Sequence, residues 1–558
     1  MKQFVVEILA KHVKLKKQEI ESLIEIPPNP ELGDYSFPCF ILAKKHKKNP
    51  VEISKEIAEK IKPNKEISEI KAVGSYINFF VNKKILAENV VKEILNKKRN
   101  YGKQKQNKKI MVEFSQANTH KAFHVGHIRG TTLGESISRI LEFSGNKVIR
   151  ANYQGDTGMH VAKWLWNYLK NHKKEKIKPD ESWMASIYVD AVKRLADDKT
   201  GKLQEEVEEI NRRLEEGKDR KLNQLWKKTR DFSLKSFQTI YKELGTKFGK
   251  YYFESQVENR AKQLSLELLK KKIALKSDGA VIVNLEKYGL GVWVLLRKDG
   301  TVLYSAKDLA LVEKKFQDYR LDECIYVIAD SQTLHLNQLL KTLDLMKFKN
   351  SKKCKHVSFS LVRLPSGKMS SRTGENILYS DFVSEMKEYA RSEIKQRAEL
   401  EKKELENRAL KISTAAIKYS FLKQDTNKII VFDKQEALNF EGDTGPYLQY
   451  SYARASSILR KSKKKLQVKV ADLTNSEIEL IKKLSQFPEI VIKAREQLSP
   501  ALIANHSFEL AQKFSEFYHQ TKVIGSELEQ FRLALVQAFR IVIKQSLFLL
   551  GIEVMEEM

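Results

Sequence analysis

Cysteine is scarce in this chain, and its three copies are scattered. Among 558 residues, Cys39, Cys324 and Cys354 stand far apart, and there is no CxxC pair. This spacing argues against a disulfide framework and against a cysteine-rich zinc site, and it is typical of a reducing compartment. We therefore expect a cytoplasmic protein without a structural zinc ion.

Long apolar runs are also missing. The most apolar stretch, residues 541–552, is interrupted by Lys544 and is too short to span a bilayer. Near the N-terminus, Lys2, Glu7 and Lys11 break any signal-peptide core. The sequence therefore predicts no membrane partner.

Positive charge, by contrast, is abundant. Lys and Arg number 101 against 71 Asp and Glu, which gives a formal net charge of +30. Such an excess favours a polyanionic partner, because cationic side chains neutralise phosphates. A solvated, generally lysine-rich surface would give the same count, so charge alone leaves both interpretations open.

The length of the chain exceeds what one hydrophobic core usually serves, and its patterns change along it. Residues 1–97 are predicted to form a small N-terminal α/β domain. Residues 98–380 open with a strand, a helix and a strand typical of a Rossmann-like parallel sheet, with a mainly helical insertion expected at about 160–275. Residues 381–558 read almost wholly as helix and predict an all-α C-terminal bundle. The expected fold class is therefore α/β.

Finer patterns place the strands of the middle region. Apolar runs predict buried strands, and Asp299-Gly300 predicts a hairpin turn that leads into a strand containing Tyr304. After the charged helical stretch, strand signals resume only near residue 280. The predicted strands cover residues 110–114, 148–153, 280–283, 301–304 and 323–329.

A polar constellation follows the first predicted strand, where an open α/β sheet binds nucleotides. Gly126 would let a flat ring approach the backbone. Two histidines spaced as HxGH can donate hydrogen bonds to phosphate oxygens as charge develops on them. A metal pair or two helix-capping histidines would use the same residues. The constellation comprises Glu113, Ser115, Asn118, Lys121, His124, Gly126 and His127.

A second constellation lies in a polar loop after the last predicted sheet strand. Its residues are Lys368, Met369, Ser370 and Ser371, followed by Gly374. A lysine with two hydroxyl groups on a glycine-ended loop suits a mobile clamp on a triphosphate. Alone, an ordinary basic surface loop would explain it better. Together, HxGH after the first strand and KMSS after the last resemble the two signatures of class I aminoacyl-tRNA synthetases.

The resemblance narrows to the arginyl-tRNA synthetase family and covers nearly the whole chain. Thr157 is one departure, since many members have tryptophan there. The matching segments include an N-terminal tRNA-binding motif, the active-site turn, a glycine-rich loop, the substrate segment, the next strand end, the start of the anticodon-binding helices and the C-terminal ending. They are residues 31–35, 113–127, 154–158, 304–308, 329–335, 445–454 and 549–558.

The resemblance implies that arginine is activated with ATP and then transferred to the 3′ end of tRNA(Arg). Asp308 would accept the guanidinium and Tyr304 would pack beside it, since a rigid guanidinium fork suits a carboxylate and a flat neighbour. Each could instead be structural, with Asp308 as a helix cap and Tyr304 as a core strand residue. The expected arginine-binding residues are Glu113, Ser115, Asn118, His127, Tyr304, Asp308 and Gln332.

ATP with Mg²⁺ is the expected cosubstrate, without a dedicated protein cage for the ion. The residues expected to stabilise phosphate charge are His124, His127, Lys368 and Lys121. Lys368 is expected to matter more than Lys121, because it lies on the clamp loop. The expected ATP-binding residues are His124, Gly126, His127, Gly155, Asp156, His335, Lys368, Met369, Ser370 and Ser371.

Aromatic and polar side chains in the C-terminal helices are expected to bind anticodon bases by stacking and hydrogen bonding. Helix packing is the alternative for each. The candidates are Tyr447, Gln449, Tyr450 and Arg454, with Asn78 and Phe79 as weaker candidates for the tRNA elbow. The resemblance further implies activation that depends on bound tRNA, and we expect a monomer.

Three rival functions remain to be separated. A cysteinyl-type synthetase would need a thiolate zinc site, which the scattered cysteines disfavour. A small nucleotidyltransferase with HxGH is usually much shorter. A non-catalytic tRNA-binding paralogue is disfavoured by the joint presence of His124, His127, Lys368 and Asp308.

Overall fold

The computed structural model of the chain describes residues 2–365, 377–396, 398–470 and 472–558. These residues divide into two compact units. One comprises Met1–Tyr101, Arg454–Phe487 and Glu509–Ile543, and the other comprises Gly102–Ala453, Pro488–Phe508 and Lys544–Met558. The C-terminal helices therefore contribute to both units, and the domain boundaries expected from the sequence stay a prediction.

The N-terminal region is a three-stranded antiparallel sheet with helices before, within and after it. The sheet order is β1-β3-β2. Alternation along β3 buries Ile77, Phe79 and Val81. The elements are α1 (Lys2–His12), α2 (Lys17–Leu23), β1 (Tyr35–Pro38), α3 (Phe40–His46), α4 (Pro50–Lys60), β2 (Ile67–Val73), β3 (Tyr76–Val81) and α5 (Lys83–Lys97).

The second unit is built on a five-stranded parallel sheet. Its strands are β4 (Lys109–Glu113), β5 (Lys147–Gln154), β6 (Lys250–Phe253), β10 (Glu323–Ala329) and β11 (Cys354–Phe359). The spatial order β11-β10-β4-β5-β6 reverses between β4 and β10. This is the Rossmann-like order, and in such sheets ligands bind beyond the carboxyl ends of the strands at the reversal.

Helices and a small second sheet complete the region before β11. The separate antiparallel sheet has the order β7-β8-β9. The elements are α6 (Val125–Phe143), α7 (Met159–Asn167), α8 (Glu181–Asp197), α9 (Lys202–Glu216), α10 (Arg220–Glu243), α11 (Glu258–Lys270), β7 (Leu275–Ser277), β8 (Ala280–Asn284), β9 (Val292–Leu296), α12 (Tyr304–Asp318) and α13 (Thr333–Leu345).

The rest of the described chain is almost entirely helical. A short parallel pair, β12 with β13, is the exception. The elements are β12 (Val362–Arg363), α14 (Tyr379–Lys395), α15 (Lys402–Leu422), β13 (Ile430–Val431), α16 (Lys434–Ala437), α17 (Gly445–Lys461), α18 (Asn475–Gln497), α19 (Pro500–Gln520) and α20 (Glu529–Leu549). None of the described helices is long and apolar enough to cross a membrane.

Helix α6 packs against the central sheet and is hydrogen-bonded near its middle to Leu549. Gly134 lets it approach β4 closely, because a Cβ there would lie 2.1 Å from Cγ of Phe114. Towards its C-terminal half, the hydroxyl of Ser136 donates to the carbonyl of Leu549 at 2.8 Å. Lys418 on α15 donates to the carbonyl of Gly551 nearby in sequence. The last residues of the chain thus hold the helix that begins at the HxGH motif.

Four predicted strands are confirmed, at residues 110–114, 148–153, 280–283 and 323–329, and the third of them belongs to the separate antiparallel sheet. Two expectations are wrong. The segment expected to be helical contains β6, the edge strand of the central sheet. Tyr304 does not end a hairpin strand, because the hairpin closes with a single bridge between Leu296 and Val302 and Tyr304 begins α12.

Candidate active site

The turn from β4 to α6 has an unusual backbone. Ser115, Gln116 and His120 have φ values of 80°, 47° and 63°, in the left-handed region that residues with a Cβ rarely adopt. Such strain persists only where surrounding contacts hold it, and it concentrates at functional sites. The turn leads directly to the two histidines of the HxGH motif.

The two histidines lie side by side at the start of α6. The backbone N–H of His124 donates to Nδ1 of His127 at 3.2 Å, and the ring centroids are 3.8 Å apart. Burial lowers the pKa of His124 to about 4, with a smaller effect from Lys121. Burial, followed by His124, lowers the pKa of His127 well below its ordinary value. Both rings are therefore neutral at physiological pH, and His127 carries its proton on Nε2, where it can donate.

Glycine is required at two positions around this pair. A Cβ at Gly126 would lie 3.0 Å from Cε1 of His124. A Cβ at Gly155 would lie 2.6 Å from Oδ1 of Asn118, which accepts a hydrogen bond from the Gly155 N–H at 3.1 Å. The loops after β4 and β5 are thereby joined at the carboxyl edge of the sheet.

Lys121 lies just before the histidine pair and is half-buried. Burial, and then the neighbouring Lys163, lower its pKa, while Glu254 acts in the opposite direction. Its Nζ is 5.6 Å from the ring centroid of Tyr188. A cation therefore stands beside two neutral donors.

An acid and an aromatic side chain share the first two turns of α12. Tyr304 is 56% exposed, and Asp308 follows four residues later on the same face. The ring of His335 contacts both, with its Nε2 2.6 Å from Oδ2 of Asp308 and its centroid 4.7 Å from that of Tyr304. Trp293 donates its indole N–H to Nδ1 of the same histidine at 3.2 Å. The acid and aromatic pairing predicted from the sequence thus lies on a helix, not at a strand end.

Two further carboxylates lie near Asp308, and each has its own lysine. Glu113 Oε2 is 2.5 Å from Nζ of Lys315, and Glu254 Oε2 is 3.1 Å from Nζ of Lys307. Burial raises the pKa of Glu113 and Glu254, and the proximity of Asp308 adds to this. Because both lysines neutralise a glutamate, Asp308 remains as the one of these three carboxylates whose contact in the described chain is a histidine and not a lysine.

Four of the predicted ligand residues are occupied by the protein itself. Glu113 is sealed against Lys315, as described. Ser115 is buried, accepts a hydrogen bond from Thr131 and bonds the hydroxyl of Tyr241, each at 2.9 Å. The hydroxyl network therefore fixes the strained turn, and the expectation that Ser115 contacts arginine stays a prediction.

Asp156 is the third such residue. Its carboxylate is fully buried and accepts hydrogen bonds from the N–H and hydroxyl of Ser255 at 3.0 and 2.8 Å, with Arg230 at 3.3 Å. His335 is the fourth, since both ring nitrogens are engaged by Trp293 and Asp308. Both side chains thus have structural partners within the protein, and their expected contacts with ATP stay predictions.

Three residues of the site were missed by the sequence reasoning. Glu254 directly follows β6, so recognising that short strand would have placed it at the carboxyl edge of the sheet. Lys307 and Trp293 carry no sequence signal, since their roles depend on partners in other elements. Gln332, which was predicted, lies exposed in the turn after β10.

The residues Lys368, Met369, Ser370 and Ser371 lie outside the described residues. The chain that follows them is bonded directly to the HxGH segment. Tyr379 donates its N–H to the carbonyl of Phe123 at 2.8 Å. Glu181 of α8 accepts from the N–H groups of Phe123 and Ser380 at 3.2 and 3.4 Å, and burial raises its pKa to about 7.

The predicted tRNA-contact residues divide into buried and accessible ones. Phe79 and Asn78 are buried in β3, where Asn78 accepts from the hydroxyl of Ser36 at 2.6 Å. Gln449 is also buried and donates to the carbonyl of Glu553 at 2.7 Å. All three side chains are enclosed by the protein in this structure, and their expected contacts with tRNA stay predictions.

The remaining candidates are partly exposed. Tyr447 and Tyr450 are half-buried on α17. The guanidinium of Arg454 lies over the ring of Tyr518 at 5.0 Å, and that ring is itself exposed. A cation stacked on an exposed ring is a surface to which a nucleic acid base can add.

Comparisons with known proteins agree along the whole chain. Residues 1–81 match the arginyl tRNA synthetase N terminal domain, residues 90–433 the catalytic domain of class I tRNA synthetases (R), and residues 448–558 the DALR anticodon binding domain. The chain is similar to the arginine–tRNA ligase of Clostridium perfringens, at 38% identity, and to that of Clostridium acetobutylicum, at 36%, with all of each chain covered.

Solved structures give the same result. The fold is similar to that of Thermus thermophilus arginyl-tRNA synthetase, with a TM-score of 0.81 and 27% identity over 99% of this chain and 98% of the other. It is also similar to the arginyl-tRNA synthetase of Plasmodium falciparum, with a TM-score of 0.76 and 26% identity over 96% and 94% of the two chains.

Proposed function

The chain belongs to the arginyl-tRNA synthetase family and attaches arginine to tRNA at the expense of ATP, and from this premise we propose which residues carry each step. The carrying observation is the charge pattern around Asp308. Its two neighbouring glutamates are neutralised by lysines, so the substrate guanidinium meets one carboxylate that is not already paired with a lysine. Tyr304 packs beside the guanidinium, and Glu254 forms the other wall of the pocket.

Asn118, Gln332 and His127 orient the rest of the substrate. The amide groups of Asn118 and Gln332 hold the α-amino end, and His127 lies towards the carboxylate. That carboxylate attacks the α-phosphate of ATP, and pyrophosphate leaves. The terminal ribose hydroxyl of tRNA then attacks the arginyl carbonyl, and AMP leaves. No covalent enzyme intermediate is needed, so positioning and charge stabilisation supply most of the rate.

The phosphates are stabilised by neutral and cationic donors together. His124 and His127 donate from uncharged rings, and Lys121 and Lys368 add cations. Met369, Ser370 and Ser371, the neighbours of Lys368, also bind ATP. The glycines at 126 and 155 let the nucleotide approach the backbone. ATP enters as its magnesium complex, with phosphate oxygens as the main ligands of the ion.

Anticodon bases contact Tyr447, Tyr450 and Arg454, and arginine activation waits for bound tRNA. The protein acts in the cytoplasm as a monomer. Its domains have the boundaries expected from the sequence. Residues 1–97 bind the tRNA elbow, residues 98–380 form the catalytic domain with an insertion at about 160–275, and residues 381–558 form a linker and the anticodon-binding domain.

The test is arginine-dependent ATP–pyrophosphate exchange with and without tRNA. We expect exchange with arginine and tRNA together, and no exchange with arginine under either condition would refute the activity. Asp308→Asn should raise the arginine KM at least about 100-fold, since it leaves the guanidinium unpaired. An unchanged arginine KM would remove Asp308 from the pocket without touching the activity itself.

The two lysines can be ranked in the same assay. Lys368→Ala should lose more exchange rate than Lys121→Ala, because Lys368 lies on the clamp loop, whereas the pKa of Lys121 is lowered by burial. If Lys121→Ala loses more, the proposed ranking is reversed.

A further inference from the structure

His335 is enclosed between two side chains from different elements. It lies on α13, and Trp293 reaches it from β9 and Asp308 from α12, at 3.2 and 2.6 Å. The ring is buried, with 7% of the residue exposed. Tyr304 covers it with ring centroids 4.7 Å apart.

The identity of these partners fixes the position of the ring proton. An indole nitrogen can donate a hydrogen bond but cannot accept one. Nδ1 of His335 must therefore accept from Trp293, and the single ring proton of the neutral form must be on Nε2, where it is donated to Asp308. A proton on Nδ1 would face the indole N–H and lose that bond.

We propose that Trp293 is a specificity-determining positioning residue, whose indole N–H keeps His335 neutral so that Asp308 stays available to the substrate guanidinium. This rests on the assignment of Asp308 as the guanidinium acceptor. An imidazolium at His335 would be a cation already paired with Asp308, and arginine would have to compete with it.

The other charged groups near Asp308 are already paired with each other, so His335 is the group that can compete with arginine for Asp308. The groups in contact with its ring are Asp308 and Tyr304 from α12 and Trp293 from β9. Beyond them, Asp308 raises the pKa of Glu113 and Glu254, which are paired with Lys315 and Lys307. Protonation of His335 would thus change the net charge that arginine meets.

The position of the indole is fixed from both sides of Trp293. Gln338, one turn along α13 from His335, donates to the carbonyl of Leu290 at 2.7 Å. Ser305 on α12 donates to the carbonyl of Val294. Strand β9, which carries Trp293, is therefore hydrogen-bonded to α13, which carries His335, and to α12, which carries Asp308.

The test is the arginine KM of full-length Trp293→Phe in tRNA aminoacylation between pH 5.5 and 8.0. Phenylalanine keeps the aromatic packing and removes the N–H. Without that N–H, Nδ1 of His335 is open to a second ring proton, which histidine takes up more readily as the pH falls. We expect an arginine KM near that of the wild type at pH 8.0 and roughly 10-fold higher at pH 5.5, with the ATP KM unchanged.

Trp183→Phe is the matched control. The indole N–H of Trp183 donates to Glu175, which precedes α8 and lies outside this pocket. Its arginine KM should follow the wild type at every pH. Adding His335→Gln to Trp293→Phe should abolish the pH dependence, since glutamine donates without titrating. An arginine KM in Trp293→Phe that is raised equally at all pH values, or that follows the wild type throughout, would overturn the proposal.

A second measurement does not depend on Trp293→Phe folding. In ¹⁵N-histidine spectra of the wild type, the signal lost in His335→Gln should show the Nε2–H form from pH 8.0 down to pH 5.5. An Nδ1–H form, or a doubly protonated ring at pH 6.5, would overturn the proposal. Asp308→Asn tests the assignment of Asp308 separately from the role of Trp293. If this variant leaves the arginine KM unchanged, Asp308 is not the guanidinium acceptor, whatever the spectra show.

Discussion

The two lysine–glutamate pairs that flank Asp308 have the same chemistry and different surroundings. The Glu113–Lys315 pair is sealed, with side chains 3% and 0% exposed, and the Lys315 Nζ also lies 4.3 Å from the ring centroid of Tyr326. The Glu254–Lys307 pair lies at the pocket wall, with side chains 21% and 8% exposed.

This difference in exposure separates a structural charge from a functional one. Glu113 is enclosed by the protein, and its charge holds β4 to α12 from within the sheet. Glu254 can be reached, and its lysine also touches Glu258 at 3.6 Å, so the pair can shift when a guanidinium arrives. The same two residue types thus form a fixed ion pair at Glu113 and an ion pair at Glu254 that can rearrange when substrate binds.

The largest effect is expected from breaking the sealed pair. Lys315→Met leaves the Glu113 carboxylate buried without its cation, which should lower the free energy of unfolding by about 3–5 kcal/mol. Urea unfolding followed by circular dichroism measures it. Adding Glu113→Leu should recover most of the loss, and a double variant no more stable than the single one would contradict the explanation.

Glu181 extends the comparison to a buried acid held by backbone N–H groups. Its pKa is raised to about 7 by burial, so between pH 4.5 and 7 the folded protein retains a proton that the unfolded chain has lost. This contribution to stability is complete below about pH 4.5 and is lost as the pH rises through 7. Glu181→Gln removes the ionisable group. The free energy of unfolding of this variant should therefore rise relative to that of the wild type over this pH range, by about 3 kcal/mol at most.

Thermal unfolding of wild type and Glu181→Gln at pH 5, 6, 7 and 8 provides the check. The difference between the two should grow up to about pH 7 and then stay level. A constant difference across the series would mean that the carboxyl group ionises equally in both states.

At the pocket wall, charge removal should appear in substrate binding. Glu254→Gln deletes a negative charge that substrate can reach, so the arginine KM in aminoacylation should rise about 10-fold, equivalent to about 1.4 kcal/mol. Glu258→Gln is the control, since it touches the same lysine and should shift the arginine KM less than twofold. Equal effects from both would show that the lysine, not Glu254, sets arginine affinity.

The smallest effect is expected from an ion pair in water. Glu93 and Lys97 on α5 are 2.7 Å apart, four residues apart, and both about half exposed. Lys97→Ala should lower the free energy of unfolding by about 0.3–0.5 kcal/mol, and salt should weaken even this. A loss above about 1 kcal/mol in urea unfolding would contradict the ranking by exposure.

Much of the framework could be predicted, because local patterns specify it. HxGH after a strand, and Tyr304 with Asp308 four residues apart, are visible in one stretch of sequence each. Strand β6 was missed because its four residues include lysine and it pairs with β5 about a hundred positions earlier. Because β6 was not predicted, Glu254, which directly follows it, was not recognised as a site residue.

Distant bonding partners were not predictable from the sequence. Ser115 and Asp156 are visibly polar in the sequence, but the residues that bond them lie far away along the chain. Tyr241 lies 126 positions from Ser115, and Ser255 lies 99 positions from Asp156. The same distance effect hid Trp293, whose contact with His335 spans 42 positions.

The anchoring of α6 by the end of the chain has a consequence for synthesis. Ser136 and its partner Leu549 are 413 residues apart, so the helix leaves the ribosome long before its anchor exists. Until then, the hydroxyl of Ser136 and the ammonium of Lys418 lack the carbonyls that hold them. A nascent chain halted short of Leu549 should therefore carry both signature histidines yet lack both anchoring contacts.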